Sequence, residues 1–150
     1  MEKNGSEKKI SAIIPSNNNY KIINTIKSIR SFVDEIIIVN SAKDDCVIPH
    51  EYKVKIIQVK KGKTNASKAR NIGATEAKNE ILFFVDADVE VDPSSIEHFK
   101  KSSEKMSEND IYGGLYDFHK NSNIVSNINS LLLRYRVNIL NKNKNFKIIS

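Results

Sequence analysis

Asp86 and Asp88 stand one residue apart, directly after the apolar run Ile81 to Val85, in the stretch ILFFVDADVEVDP. Two carboxylates at i and i+2 project to the same side when the backbone stays extended. Held side by side they repel, and a hard divalent cation relieves that repulsion. Mg2+ or Mn2+ takes oxygen ligands and keeps positions for water and substrate phosphate, so one or two carboxylates plus a diphosphate form a usual shell. Asp-x-Asp alone is a weak signal, because acids at strand ends are commonly just solvated. The apolar strand before the pair, and its place at the end of that strand, make Asp86 and Asp88 candidate metal ligands. Glu90 reads as an exposed side chain, and Asp92 before Pro93 reads as the N-cap of the next helix.

The elements that must position these acids follow from periodicity. Ile10 to Ile14 is a strand ended by Pro15, followed by a polar loop, Ser16-Asn17-Asn18-Asn19. Ile22, Ile26, Ile29 and Val33 recur at helical spacing, with Ile23 widening the stripe. Glu35 to Val39 is apolar on both faces, as expected of a buried parallel strand. Val54 to Val59 alternates more and reads as nearer an edge. TNASKARNIGATEA is a helix capped by Thr64 or Asn65, with Ala66, Ala69, Ile72, Gly73 and Ala77 on one side for close approach to a sheet. Ile81 to Val85 is the fourth and most apolar strand, read as central and buried. A helix from Pro93 turns Ile96, Phe99 and Met106 inward. Ile111 to Tyr116 and Phe146 to Ile149 read as further strands, and Ile124 to Leu140 carries a helical apolar stripe.

This order predicts an α/β fold, an open and mostly parallel Rossmann-like sheet flanked by helices. Ligands of such sheets sit beyond the carboxyl ends of the strands. That rule brings Pro15-Ser16, Asn40-Ser41 and Asp86-Ala87-Asp88 to one rim from distant parts of the chain.

Composition is consistent with one globular domain. The 150 residues have a mean hydropathy of -0.43, a formal charge of +6 and a pI near 9.3. A basic chain favours anionic partners. Lysines are dispersed and aromatic residues make up 7%, which argues against a stacking platform for nucleic acid. Cys46 is the single cysteine, so no internal disulfide forms and no Cys/His metal spacing exists. The charged N-terminus lacks the apolar core of a signal peptide, and a cytoplasmic setting is expected.

The run KISAIIPSNN, then EIIIVNSAKDD, then KGKTNASKARNIGATEAKNEILFFVDADVEVDP resembles the family 2 glycosyltransferases of GT-A fold. The likeness covers Ile10 to Pro93 clearly and continues more loosely to about Arg136. It implies a metal-dependent, inverting glycosyltransferase that binds a nucleoside-diphosphate sugar and passes the sugar to an acceptor hydroxyl of a glycan or lipid-linked molecule. It implies Mn2+ or Mg2+ as cofactor, held by Asp86 and Asp88. Pro15 and Ser16 match the loop lining the nucleotide pocket. Asn40 stands where the family usually has an Asp that contacts base or ribose, which changes the donor pattern there. Asp45 matches a later acid of that loop and is assigned to loop structure. Lys63 precedes a helix N-terminus, a suitable place for anion contact, and Arg70 falls in the family's Ala-Arg-Asn segment. The donor-side residues are thus Pro15, Ser16, Asn40, Lys63, Arg70 and Asp86.

No residue matches the general base with assurance; Asp117 and His119 could titrate, but an exposed loop explains them more simply. Residues 1–150 therefore read as a single GT-A-like domain, truncated so that its C-terminal part is incomplete. A non-catalytic nucleotide-binding module is the alternative. A sugar nucleotidyltransferase would want a glycine-rich loop where this chain has PSNNNY. Arg134 and Arg136 beside a leucine-rich stripe offer peripheral contact with the inner face of a membrane, although packing on the chain's own sheet is the simpler role.

Overall fold

The computed structural model describes residues 8–17, 20–60, 64–105, 110–114 and 147–149. Lys63, Met106, Asp117, His119, Arg134, Arg136 and the apolar stripe from Ile124 to Leu140 lie outside the described residues. The chain groups into two compact units, Met1–Ile96 and Glu97–Ser150.

In the first unit four parallel strands form one sheet. They are β1 (Ile10–Ser16), β2 (Glu35–Asn40), β3 (Lys55–Gln58) and β4 (Ile81–Phe84), in the spatial order β3-β2-β1-β4. α1 (Ile22–Ile29) links β1 to β2, and α2 (Ala66–Glu76) links β3 to β4. The α/β fold expected from the sequence is the one observed, and β3 lies at the edge as its alternation suggested.

β1 does not stop at Pro15 but runs through it, with Pro15 opposite Val39 and Ser16 opposite Asn40. The reason lies in the direction of each backbone group. Ile13 O accepts from Val85 N and Lys9 O accepts from Ile81 N, so odd-numbered residues of β1 address β4. Pro15 shares that parity, and β4 pairs with β1 only as far as Phe84 opposite Ile13. The missing N–H of the proline therefore falls where, among the described residues, the ladder has already ended.

The two faces of the sheet are packed differently. α2 lies over β1 and β2, where Ala69 joins Ile37 and Val39 in a buried cluster flanked by Ile57, Val59 and Ile72. Gly73 sets that approach: a Cβ there would stand 2.4 Å from Ile13 Cγ2 and 3.3 Å from Val39 Cγ2. α2 is capped by Asn65, whose side chain accepts from Lys68 N, settling the choice between Thr64 and Asn65. On the opposite face Ile10, Ala12 and Ile14 are buried, and α1 turns Ile22, Thr25, Ile26 and Ile29 inward. The helix ends before Val33, and Phe32 takes the inward place instead, T-shaped on Phe83 at 5.4 Å.

Among the described residues β4 is not the central strand its apolar run suggested but the outer strand of the sheet. Ile81 and Val85 are buried, but Leu82 and Phe84 are 36% and 46% exposed. Leu82 and Phe84 sit opposite Ser11 and Ile13, on the face where α2 lies mainly over β1 and β2. An apolar run reports residues suited to burial on both faces, and does not fix a strand's rank in the sheet.

α3 (Pro93–Ser103) starts as expected, with Asp92 Oδ1 accepting from Ser94 N and Ser94 Oγ. Ile96 and Phe99 are half-buried. In the second unit β5 (Tyr112–Gly114) and β6 (Lys147–Ile149) pair in parallel, which gives the last expected strand a partner. Among the described residues no helix is long and apolar enough to cross a membrane.

Candidate functional site

The carboxyl ends of β1, β2 and β4 meet at one rim of the first unit. Ser41 closes onto β1, its N–H and Oγ both donating to Ser16 O at 2.8 and 3.1 Å. Val85 N extends the β1–β4 ladder one step past Phe84, which brings Asp86 alongside the Pro15 level. Three segments separated in sequence are thus brought together by register alone.

Asp86 is gripped from α2. Arg70 Nη2 donates to Asp86 Oδ1 at 2.5 Å, an ion pair in which both side chains are partly exposed. The pair joins the two motif residues that sequence had placed separately, Arg70 on its helix and Asp86 after its strand. From the other side, Glu90 Oε1 accepts from Asn24 Nδ2 and Val91 N donates to Ser28 Oγ, which pin the segment after the acids to α1. The acidic loop is therefore held from both faces of the sheet.

The backbone between the acids is not extended. It turns at Ala87-Asp88, closed by Val89 N donating to Asp86 O at 3.2 Å, with Ala87 buried and Asp88 exposed. The premise that the two carboxylates share one side of a continuing strand does not hold; they sit on one four-residue turn instead. Among the described residues no group of three His, Cys, Asp or Glu is placed to hold a metal ion. Among the described residues the rim offers the two carboxylates, a set that suits an ion drawing its remaining oxygens from phosphate and water.

Ser16 is buried, 5% exposed, and among the described residues its Oγ has no hydrogen-bond partner. A buried hydroxyl without a partner carries a desolvation cost of about 1–3 kcal/mol, which an arriving acceptor or water would relieve. Thr25 Oγ1 on α1 is unpartnered in the same way. Ser16 is the residue of the expected nucleotide loop with polar capacity to spare.

Asn40 is different. It is 0% exposed, and its amide is committed inside the protein. Nδ2 donates to Asp44 O at 2.9 Å and to Gln58 Oε1 at 2.8 Å, while Oδ1 accepts from Ala42 N. Gln58 Nε2 closes the circuit on Ala42 O. The expectation that Asn40 meets a base or ribose gives way to a positioning role, because no donor or surface remains for a ligand. Asp45 is exposed in the loop this network shapes. Cys46 follows it, its thiol pKa pushed up by burial, which disfavours the reactive thiolate.

The ties from Asn24, Ser28 and Gln58 escaped the sequence reading. Each joins residues 18 to 66 positions apart through a polar side chain, and no local periodicity marks such a pair.

The carboxyl rim of this parallel α/β sheet, where ligands of such sheets commonly sit, carries an arginine-clamped acid and a buried hydroxyl without a partner among the described residues. The chain belongs to glycosyl transferase family 2, which it matches over residues 11–149. Among solved structures it is similar to TarS of S. aureus, residues 1–349, with 19% sequence identity and a TM-score of 0.62. The likeness covers 77% of this chain and 38% of the TarS chain, so this chain spans under half of that structure's length. Identity at that level speaks to fold, and the fold agrees. No curated protein matches the chain in sequence.

Proposed function

We propose that the rim formed by Pro15, Ser16 and Asp86 binds the nucleoside diphosphate of an activated sugar, as the donor half of an inverting glycosyl transfer to an acceptor hydroxyl. The observation that carries this reading is the meeting of Arg70 and Asp86 at the rim beside an unpartnered Ser16 hydroxyl. Family membership supports sugar transfer as the chemistry.

In this reading Asp86 and Asp88 hold Mn2+ or Mg2+ together with diphosphate oxygens. When bound, the ion neutralises charge on the departing diphosphate. Arg70 has two calls on its guanidinium: it orients Asp86 in the free protein, and it offers further N–H donors to phosphate oxygens at the same place. Ser16 Oγ accepts or donates to the nucleotide. Asn40 keeps the Ser41–Asp45 loop at the height where the nucleoside would lie. Lys63 is a proposed phosphate contact that lies outside the described residues. The acceptor, a glycan or lipid-linked molecule, has its hydroxyl deprotonated by a base not found among the donor-side residues.

Calorimetry with nucleoside diphosphates, with and without Mn2+, tests the site. Binding should require Mn2+ and weaken by about tenfold or more in Asp86→Asn, the scale of a lost charge-assisted contact. Binding that ignores Mn2+, or no binding, would sink the assignment. Binding without sugar release from the activated donor would favour a nucleotide-binding module over an enzyme.

A further inference from the structure

Asp88 is exposed, and among the described residues no hydrogen bond or ion pair holds its carboxylate. Its place relative to Asp86 is therefore decided by the backbone on either side of the turn. The upstream arm is fixed by the sheet, through Val85 N donating to Ile13 O at 3.2 Å, and by Arg70 on Asp86. The downstream arm belongs to no strand and is held by side chains of α1. We propose that Ser28, with Asn24 beside it, is the positioning residue that sets Asp88 against Asp86 for divalent-ion and diphosphate binding, a role that rests on the nucleotide reading of the rim and gives α1 a part in it.

The Ser28 hydroxyl is suited to this by its own chemistry. Its single hydrogen goes to Thr25 O at 2.8 Å, which turns a lone pair toward Val91 N, the donor at 3.1 Å. The bond to its own helix thus directs the bond to the loop. The helix is a firm base, with Ile22, Thr25, Ile26 and Ile29 buried.

Asn24 lies one turn earlier, and residues at i and i+4 share a helix face. Its Nδ2 donates to Glu90 Oε1 at 3.1 Å. The two side chains therefore take consecutive residues of the loop, from 66 and 63 positions away. Two anchors at that spacing fix both the position and the direction of the chain leaving the turn. Val89 N donating to Asp86 O closes the turn itself, so slack at residues 90 and 91 passes directly to Asp88. Ion ligands need placement within about 0.5 Å, and groups that orient ligands without touching the ion commonly account for about tenfold or more in affinity. Glu90, as the acceptor of Asn24, belongs to the tie and stands outside the proposed ligand set.

The test titrates Mn2+ into the full chain with inorganic pyrophosphate, read by the electron paramagnetic resonance of free Mn2+, with a thermal melt of each variant. Ser28→Ala should weaken Mn2+ binding by about tenfold, and Ser28→Thr, which keeps the hydroxyl, should restore it to within about twofold. Asn24→Ala, at an exposed position, should weaken it by about threefold, the scale of one hydrogen bond. Glu90→Gln keeps the acceptor and should bind as wild type does. Ser11→Ala removes a buried hydroxyl bonded to Glu35, an equivalent structural loss away from the rim, and should leave binding unchanged. Hydrogen exchange of the Val89 and Val91 amides in the protein without ion should quicken in Ser28→Ala and not in Ser11→Ala. Wild-type affinity in Ser28→Ala, no rescue by Ser28→Thr, or an equal loss in Ser11→Ala would overturn the proposal, while binding by the wild type still upholds the rim. If the melt shows Ser28→Ala unfolded, Asn24→Ala decides, and wild-type affinity in that variant overturns the proposal. A loss in Glu90→Gln as deep as in Asp88→Asn would make Glu90 an ion ligand and overturn it too. No binding of Mn2+ with pyrophosphate by the wild type would overturn the rim, and this role with it.

Discussion

Asp in place of Asn40 is a one-atom change whose cost can be worked from the loop network. Asn40 supplies two hydrogens, one to Asp44 O and one to Gln58 Oε1, in a side chain without solvent exposure. A carboxylate supplies none. Gln58 could turn its amide to donate to the new acid, but it would then face Ala42 O with an oxygen instead of the Nε2 that now donates there. Asp44 O is left without this donor in either case, and a second acceptor with it: Gln58 Oε1 if the amide stays, Ala42 O if it turns. At about 1–3 kcal/mol for each buried unpaired acceptor, discounted because Gln58 is itself exposed, Asn40→Asp should lose about 2–4 kcal/mol at pH 7. That is a melting temperature lower by roughly 10 °C for a chain of this size. The sign with pH follows from the site: burial among acceptors raises the introduced acid's folded pKa above the unfolded value of about 3.9. Stability is then best below the unfolded pKa, where the neutral acid donates one hydrogen bond, and is lost as pH rises through the folded pKa. Urea denaturation of wild type and Asn40→Asp from pH 3 to pH 7 reads both quantities. A difference under about 0.5 kcal/mol at pH 7, or one that is flat with pH, would refute the network. Wild-type stability combined with tighter nucleotide binding would return residue 40 to direct ligand contact.

Two further outcomes are expected. Gly73→Ala gains up to about 1 kcal/mol in helix propensity, but its methyl would collide with the fully buried Ile13; overpacking of about 1–3 kcal/mol makes it destabilising in a denaturant midpoint measurement, and a stabilised variant would contradict the helix–sheet spacing. Asp92 has its pKa lowered by the Ser94 hydroxyl and backbone N–H at the start of α3, so it contributes stability above its unfolded pKa that is lost as pH falls through the lower folded one; Asp92→Asn should therefore flatten the acid limb of the thermal stability profile below about pH 4, and an unchanged limb would count against the cap.

The parts legible in sequence were those written in local period. The stripes of α1 and α2, the two-faced apolar run of β2, the small residues Ala69 and Gly73, and the Asp92-Pro93 start of α3 each state their structure within a few positions. Register then followed from the rule for parallel sheets, which brought Ser16, Asn40 and Asp86 to one rim. What escaped was written across distance. Pro15 looked like a stop because its lost N–H is costly inside a ladder, and only the short reach of β4 makes it harmless. Asn40 looked like a ligand contact because position and polarity suggested it, while its partners Gln58 and Asp44 carry no mark of that pairing. Asp86 and Asp88 looked co-facial because the strand was taken to continue, whereas the turn at Ala87 is held partly by ties from α1.

Those ties bear on what the acidic loop can do. An isolated two-acid turn would be free to reorganise, and its carboxylates would spread apart by repulsion. Here Arg70 neutralises Asp86 on one side, and Asn24 and Ser28 hold Glu90 and Val91 on the other. The loop is therefore held by the chain's own contacts, with Asp86 occupied by a guanidinium. A divalent ion at this turn must compete with Arg70 for the carboxylate, and it gains if the displaced guanidinium finds phosphate oxygens nearby. Ion alone should thus bind weakly, and ion with diphosphate together should bind cooperatively. Such coupling is reciprocal by linkage: the same factor by which diphosphate tightens the ion is the factor by which the ion tightens diphosphate. The Arg70–Asp86 pair is in this way the element that ties the proposed metal site to the proposed phosphate site, and it does so from residues that the fold, and not their neighbourhood in sequence, brings together.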